Sequence, residues 1–179
     1  AISGGAPLGG RLGHFFRALG VIVLEGYGLT ETAATVTTSL GAPIRPGSVG
    51  RAFAGIEIRL VNEDNQDVLF GDIGEIWVRG PNVFPGYDND EPATALVLTD
   101  DGWLKTGDMA VVDDDGFLFL VDRAKDLVIV SGFNVYPAEV EDVLAMHPDV
   151  SEAGVVGVPH PHTGEAVKAF VVLEPGADV

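Results

Sequence analysis

Four short segments of the chain pair flexible backbone with side chains that could do chemistry. In Gly26-Tyr27-Gly28-Leu29-Thr30-Glu31 the glycines permit close approach of a ligand, Tyr27 offers a flat ring, Thr30 a hydroxyl and Glu31 a hard oxygen suited to Mg²⁺. A turn around a core tyrosine would account for the same residues. In Lys105-Thr106-Gly107-Asp108 a carboxylate beside glycine could accept both hydroxyls of a ribose. Aspartate after glycine is also ordinary turn chemistry. The third segment is Asp122-Arg123-Ala124-Lys125-Asp126 followed by Ser131-Gly132-Phe133-Asn134-Val135-Tyr136-Pro137. The fourth is Gly74-Glu75-Ile76-Trp77-Val78-Arg79-Gly80, then Phe84-Pro85-Gly86-Tyr87. Spacing alone makes these a charged linker and a β-hairpin. Asp113-Asp114-Asp115 reads as a solvated turn rather than a metal cluster, and His160 and His162 as an exposed loop.

The elements that must position these groups follow from apolar periodicity. Leu8, Leu12, Phe15, Phe16 and Leu19 share one helical face, with Gly20 as a C-cap. Val21-Ile22-Val23-Leu24 reads as a strand buried on both faces that feeds the first glycine segment. From Gly50 to Val121 the texture is β. Ile56–Leu60 and Glu75–Arg79 alternate apolar with charged residues, and the aspartate turn separates Met109–Val112 from Phe117–Val121 as a hairpin. Beyond Lys125 a strand at Leu127–Val130 precedes a helix starting at Pro137, whose packed face would carry Val140, Val143, Leu144 and His147. Ala153–Val158 and Ala166–Leu173 are further strands. The fold class is α/β with a β-rich, barrel-like subdomain and a small α+β C-terminal unit. The expected divisions are 1–49, 50–121, a hinge at 122–125, and 126–179.

Composition narrows the function. Among 179 residues, 27 are acidic and 10 basic, giving a net charge of −17, and there is no cysteine. Disulfides, zinc–thiolate sites and cysteine nucleophiles are thereby excluded. A sequence pI near 4.3 argues against a protein whose main task is gripping nucleic acid or an anionic membrane. With no apolar run of membrane-spanning length and no signal-peptide pattern at Ala1, a cytoplasmic location is the expectation. Residues 126–179 hold nine acidic side chains and one basic, so the bases stop almost abruptly at Arg123 and Lys125. The opening without Met on a glycine pair, and the end directly after an apolar stretch, are expected of a piece of a longer chain.

Taken in order, Ser-Gly-Gly-Ala-Pro-Leu, Gly-Tyr-Gly-Leu-Thr-Glu, Gly-Glu-Ile-Trp-Val-Arg-Gly, Thr-Gly-Asp, Asp-Arg-Ala-Lys-Asp and Ser-Gly-Phe-Asn-Val-Tyr-Pro run from Ser3 to Pro137, and the likeness they carry extends to about Leu173. This series resembles the adenylate-forming superfamily of acyl-CoA synthetases, nonribosomal adenylation domains and firefly luciferase. The resemblance implies a two-step reaction. A carboxylate attacks the α-phosphorus of ATP to give acyl-AMP and pyrophosphate, and a thiol then displaces AMP. In-line attack on an anionic phosphate needs positioning and charge neutralisation more than covalent help.

By that resemblance Gly4, Gly5, Ala6 and Pro7 would line the adenine edge, Tyr27 would stack on the base beside Gly28, and Thr30 would bond a phosphate. Glu31 would hold Mg²⁺, so Thr30 and Glu31 are the implied catalytic pair. Asp108 would grip the ribose with help from Arg123, and Lys125 would be the hinge of a mobile C-terminal domain. Ser131, Gly132 and Phe133 would line the path of the CoA thiol arm, and Asn134 would face the adenylate. The Ser/Thr/Gly-rich phosphate loop expected upstream is absent, as is a lysine in a Gly-Lys context, since Lys168 stands in Val-Lys-Ala-Phe and reads as a strand residue. The chain alone is therefore expected to be inactive. The Ser-Gly-Phe-Asn-Val-Tyr-Pro version looks like fatty acyl- and aryl-CoA ligases, and the expected substrates are ATP, CoA and a carboxylic acid, a medium- or long-chain fatty acid first. Small residues at Ala33, Ala34 and Thr35 would leave room for an apolar chain. A lipid substrate would allow peripheral membrane contact, although nothing basic and amphipathic supplies it. The rivals are a ligase that loads a carrier protein, an aryl-CoA ligase, and a non-catalytic nucleotide-binding module.

Overall fold

Residues 1–4, 8, 10–41 and 43–177 are described by a computed structural model, which divides into two units, Ala1–Leu120 and Val121–Val179. The first unit opens with β1 (Ile2–Ser3), α1 (Gly10–Ala18), β2 (Leu24–Tyr27), a short helical turn at Thr30–Thr32, β3 (Thr37–Thr38) and β4 (Arg51–Ala52). Its four strands form one sheet in that order, with β1 parallel to β2 and the others antiparallel.

Helix α1 ends as its sequence dictates. Gly20 takes φ +75°, its N–H reaches Arg17 O at 3.0 Å, and Val21 N–H reaches Phe16 O at 2.9 Å, which is a Schellman cap. Its apolar face is a different matter. Leu12, Phe15 and Leu19 are exposed while Leu8 and Phe16 are half-buried, so the described residues cover only part of the periodicity that reads as a core stripe. The strand expected at Val21–Leu24 also lies further on. Val21 and Ile22 are exposed, and β2 begins at Leu24, where β1 supplies the neighbour: Ile2 pairs with Leu24 and Ser3 with Glu25. An apolar run states that a strand is near, and its partner decides where it starts.

The second sheet is built from β5 (Glu57–Val61), β6 (Gly74–Arg79), β7 (Leu104–Val112) and β8 (Leu118–Arg123) in that order, with α2 (Glu91–Val97) between β6 and β7. Strand β8 carries the chain across the unit boundary. Period-2 alternation sets the two faces. Ile58, Leu60, Ile76, Val78, Ala110 and Leu118 join Tyr27, Val36 and Val49 in the core. Burying a side chain of this size contributes about 1.5–3 kcal/mol. On the opposite face Val61, Trp77 and Trp103 form a second cluster. Arg59 lies 5.2 Å and Arg79 4.5 Å from the Trp103 ring centre, and Lys105 lies 5.0 Å from that of Trp77. The aspartate turn is the expected hairpin, with Gly116 N–H on Asp113 O at 2.8 Å. Arg45 pairs with both Asp113 and Asp115 and stacks on the buried Phe117 ring.

In the second unit β9 (Val128–Val130), β10 (Phe133–Val135), β11 (Val150–His160) and β12 (Gly164–Leu173) form an antiparallel sheet in the order β10-β9-β12-β11. Helix α3 (Pro137–Leu144) packs on β11, with Pro at its start. Its packed side is Pro137, Val140, Glu141 and Leu144. Val143 and His147, expected on that side, are exposed, because Glu141 takes the place by accepting Val155 N–H at 2.7 Å. Lys168 is a strand residue, paired with Val156, and His160 accepts or donates to Thr163 Oγ1 at 2.7 Å. Among the described residues no helix is long and apolar enough to cross a membrane.

Candidate functional site

Tyr27 closes β2 and points inward because Glu25 and Tyr27 are the buried members of the alternation in that strand. Its backbone N–H meets Thr37 Oγ1 at 3.2 Å and its carbonyl accepts Val36 N–H at 2.8 Å. Its hydroxyl donates to Asp108 Oδ2 at 2.7 Å. Thus two sequence-predicted site residues meet in one buried pair.

The Thr106-Gly107-Asp108 segment is not a turn between elements but a bulge inside β7. Trp77 pairs with Lys105 and Glu75 with Met109, so one residue of β6 faces three of β7. Gly107 takes φ +73°, which an L side chain adopts at a cost, and so lets the extra residues loop out. The bulge is fixed from three sides. Thr106 Oγ1 donates to Ile76 O at 2.7 Å and accepts Asp108 N–H at 3.1 Å, while Glu75 Oε1 accepts Gly107 N–H at 2.9 Å. Asp108 is 8% exposed, a buried carboxylate held at a strand irregularity.

After Tyr27 the chain turns sharply. A Cβ on Gly28 would lie 2.1 Å from Ala34 O, so what approaches this glycine closely is the chain's own backbone. The Thr32 hydroxyl closes the turn by donating to Leu29 O at 3.0 Å and accepting Leu29 N–H at 2.9 Å. Ala33 and Ala34 then take φ 49° and 79°, left-handed conformations that a non-glycine residue adopts at a cost. Thr30 and Ala33–Thr35 are exposed, and Glu31 is half-buried.

A loop from the second sheet grips this turn. Asn82 Nδ2 donates to Thr32 O at 3.1 Å and Thr35 O at 2.9 Å, and Phe84 N–H reaches Glu31 O at 2.8 Å. Tyr87 OH donates to Glu31 Oε1 at 2.9 Å. That hydrogen bond to an anion, with some burial, raises the Tyr87 phenol above its ordinary value. Sequence reasoning passed over Thr32, Glu75, Asn82 and Tyr87. Tyr87 did stand in a Pro-Gly-Tyr segment, but no spacing rule connects it to Glu31.

Gly4 follows β1, and a Cβ there would make ordinary contact with Gly26 O at 3.7 Å. Gly5, Ala6 and Pro7 lie outside the described residues. The second unit carries Arg123 at the end of β8 and Lys125 in a short helical turn, Ala124–Asp126, both exposed. Asp122 Oδ1 accepts Arg123 N–H at 2.8 Å and its Oδ2 accepts Ala138 N–H at 3.1 Å, tying this segment to the start of α3. Ser131 and Gly132, with φ 53° and 85°, form a two-residue reversal that pairs Val130 with Phe133. The segment read as a loop is therefore a hairpin tip. Phe133 is 76% exposed beside it, and Asn134 is exposed opposite Ile129.

The donor set suits Mg²⁺ rather than a resident metal cluster. Among the described residues no three His, Cys, Asp or Glu side chains gather. Glu31 offers a carboxylate whose second oxygen accepts no hydrogen bond from a described residue. Mg²⁺ is ordinarily held by one or two carboxylates together with substrate phosphates and water, and a single hard oxygen fits that habit.

Known proteins agree on one relationship. A family model described as an AMP-binding enzyme matches residues 1–88, and one described as the AMP-binding enzyme C-terminal domain matches residues 139–179. A long-chain-fatty-acid–CoA ligase of Yersinia pestis is 48% identical over 177 residues, covering 96% of this chain and 31% of the relative. A 4-coumarate–CoA ligase-like protein of Oryza sativa subsp. japonica is 41% identical over 181 residues, with 98% and 30% covered. ATP-bound MatB from Rhodopseudomonas palustris superposes with a TM-score of 0.94 at 42% identity over 99% of this chain and 36% of that one. The o-succinylbenzoate CoA synthetase MenE from Bacillus subtilis, in complex with an acyl-adenylate, gives 0.88 at 39% identity, with 99% and 37% covered. The chain thus spans about a third of the length of the proteins it matches. Two successive parts of one architecture, in the family's order, leave a single assignment: the chain belongs to the AMP-binding, adenylate-forming enzymes.

Proposed function

We propose that this chain is part of an acid–thiol ligase that adenylates a carboxylic acid with ATP, releases pyrophosphate, and transfers the acyl group to CoA. The observation that carries the reading is the Tyr27–Asp108 pair, a buried carboxylate presented on a strand bulge beside an aromatic ring. Asp108 would accept the ribose hydroxyls and Tyr27 would flank the base, fixing the nucleotide so that its α-phosphorus meets the attacking carboxylate in line. Thr30, exposed at the start of its turn, would donate to a phosphate oxygen. Glu31 would hold Mg²⁺, whose charge would offset that of the phosphates. Gly4, Gly5, Ala6, Pro7 and Gly28 would give the nucleotide a backbone-lined edge. For Arg123, Lys125, Ser131, Gly132, Phe133 and Asn134 the roles proposed are those that the resemblance implies, with residues 122–125 as the hinge.

For the acid we propose a medium- or long-chain fatty acid, supported by the names of the ligases from Yersinia pestis and related bacteria. The test is a substrate screen on the full-length protein by acid-dependent exchange of labelled pyrophosphate into ATP. Fatty acids should outpace benzoates and cinnamates, and the reverse order would move the protein to the aryl-CoA ligases. Supplying free CoA or a phosphopantetheinylated carrier protein then identifies the thiol acceptor. Absence of exchange with every acid, despite ATP binding, would favour a non-catalytic nucleotide-binding module. The 179-residue chain, assayed by itself, is expected to form no acyl-AMP.

A further inference from the structure

We propose that Tyr87 is a positioning residue for Glu31: it holds one carboxylate oxygen so that the other is presented, in a fixed orientation, to a nucleotide-bound divalent cation. This rests on the assignment of Glu31 to the cation made above. A glutamate on a turn loses side-chain entropy on being fixed, and a cation that demands near-ideal octahedral geometry gains from a carboxylate already in place. The Tyr87 hydroxyl, 2.9 Å from Glu31 Oε1, supplies that restraint.

Tyr87 is itself built in. Its backbone N–H donates to Thr94 Oγ1 at 2.9 Å, and that hydroxyl donates to Asp90 O at 2.9 Å, so the tyrosine is anchored to α2. The ring meets Phe84 edge-on, with centres 4.9 Å apart, and Phe84 N–H holds the Glu31 carbonyl at 2.8 Å. Gly86 takes φ +139°, and a Cβ there would lie 2.8 Å from the Thr94 methyl, so the chain needs glycine to bring Tyr87 back toward Glu31. The segment from Asn82 to Thr94 therefore meets the Glu31 turn at backbone and at side chain. Backbone contacts would suffice to staple the loop, but they do not restrain the carboxylate. A phenol aimed at one oxygen does.

The experiment uses the full-length protein, Mn²⁺ as probe and a non-hydrolysable ATP analogue. Bound Mn²⁺ is read from the loss of the free-ion electron paramagnetic resonance signal, and the Mg²⁺ dependence of pyrophosphate exchange is measured in parallel. Tyr87→Phe should weaken Mn²⁺ binding about threefold to tenfold, part of the entropy cost of fixing a free carboxylate, and raise the half-maximal Mg²⁺ concentration to match. The rate at saturating Mg²⁺ should change less than twofold. In a Glu31→Gln background, where Mn²⁺ binding is already much weaker, Tyr87→Phe should add nothing. Thr94→Val, which loosens the anchor and leaves the phenol intact, should give a smaller shift in the same direction and serves if Tyr87→Phe does not fold. If Glu31→Gln weakens Mn²⁺ binding and neither Tyr87→Phe nor Thr94→Val does, the positioning role is wrong and the cation assignment stands. Equal effects of Tyr87→Phe with Glu31 present or replaced would make the tyrosine a loop staple only. Unchanged binding in Glu31→Gln would overturn the cation assignment and the inference together.

Discussion

The hydroxyl of Tyr27 donates to Asp108 Oδ2 at 2.7 Å, joining the end of β2 to the bulge of β7 across 81 positions of sequence. Each partner limits the other: the bond fixes the direction of the Tyr27 hydroxyl and occupies one of the two Asp108 oxygens. Tyr27→Phe should cost about 1–2 kcal/mol in urea unfolding, because a buried acceptor loses a donor. In the full-length protein it should raise the KM for ATP more than it lowers kcat. Asp108→Asn should reduce kcat/KM for ATP about tenfold to a hundredfold, the range expected for hydrogen bonds to a charged acceptor. A KM for ATP within twofold of the parent in Asp108→Asn would remove the ribose assignment.

Gly28→Ala tests the turn that follows. The new methyl would sit 2.1 Å from Ala34 O and 2.8 Å from Thr35 Cα, both backbone atoms that cannot rotate away. Overpacking of this kind costs about 1–3 kcal/mol or more, and the upper end is expected here. Thermal unfolding followed by circular dichroism checks it. A loss under about 1 kcal/mol would mean that the Ala33–Ala34 backbone yields easily.

Glu25 gives the protein a pH dependence of its own. It is 6% exposed beside a cleft of about 350 Å³ lined by Gly13, Arg17, Ile22 and Pro46, among others. Burial raises its carboxyl above the ordinary 4.5, and backbone N–H groups of Gly47 and Leu8 only partly oppose the rise. A raised folded value means that its contribution is full below the unfolded value and is lost as pH rises through the folded one. Glu25→Gln should therefore gain stability relative to the parent as pH is raised from 4 to 7. Unfolding curves whose difference is flat over that interval would show that the burial of this carboxyl carries no charge penalty.

Asp113 works in the opposite sense. Burial pushes its carboxyl up, but the backbone N–H groups of Phe117 and Asp115 and the Arg45 guanidinium together pull it below the ordinary 3.8. A lowered value gives stability that is present above the unfolded value and lost as pH falls through the folded one. Asp113→Asn should lower the melting temperature more at pH 7 than at pH 2.5. Equal losses at both pH values would assign the effect to the hydrogen-bonded turn rather than to the charge.

Much of the scaffold was legible in the sequence, because alternation and turn chemistry act locally. The charged-and-apolar rhythm of Glu75–Arg79 places β6, and its register against β5, Glu57 on Arg79 through Val61 on Glu75, follows once the hairpin closes. The Gly20 cap, the aspartate turn and the proline start of α3 were readable for the same reason. What escaped depends on residues far apart. Thr-Gly-Asp looks like any glycine turn until β6 is laid beside it, and Ser131–Gly132 looks like a loop until Val130 finds Phe133. Tyr87 carries nothing that points to Glu31, 56 positions away. The exposed face of α1 shows the converse limit: a periodic apolar stripe says that something should cover it, not what does.

The bulge in β7 has a further meaning in its arithmetic. It adds two residues, not one, between partners that are otherwise in step. Side chains alternate faces with a period of two, so an insertion of one would turn every later residue inside out. An insertion of two is phase-neutral: Leu104 before it and Ala110 after it are both buried. The strand can thus carry a polar excursion holding Asp108 while the hydrophobic count on either side runs on uninterrupted. The apolar face of β7 therefore keeps one phase from Leu104 to Ala110, although the pairing with β6 slips by two residues between them.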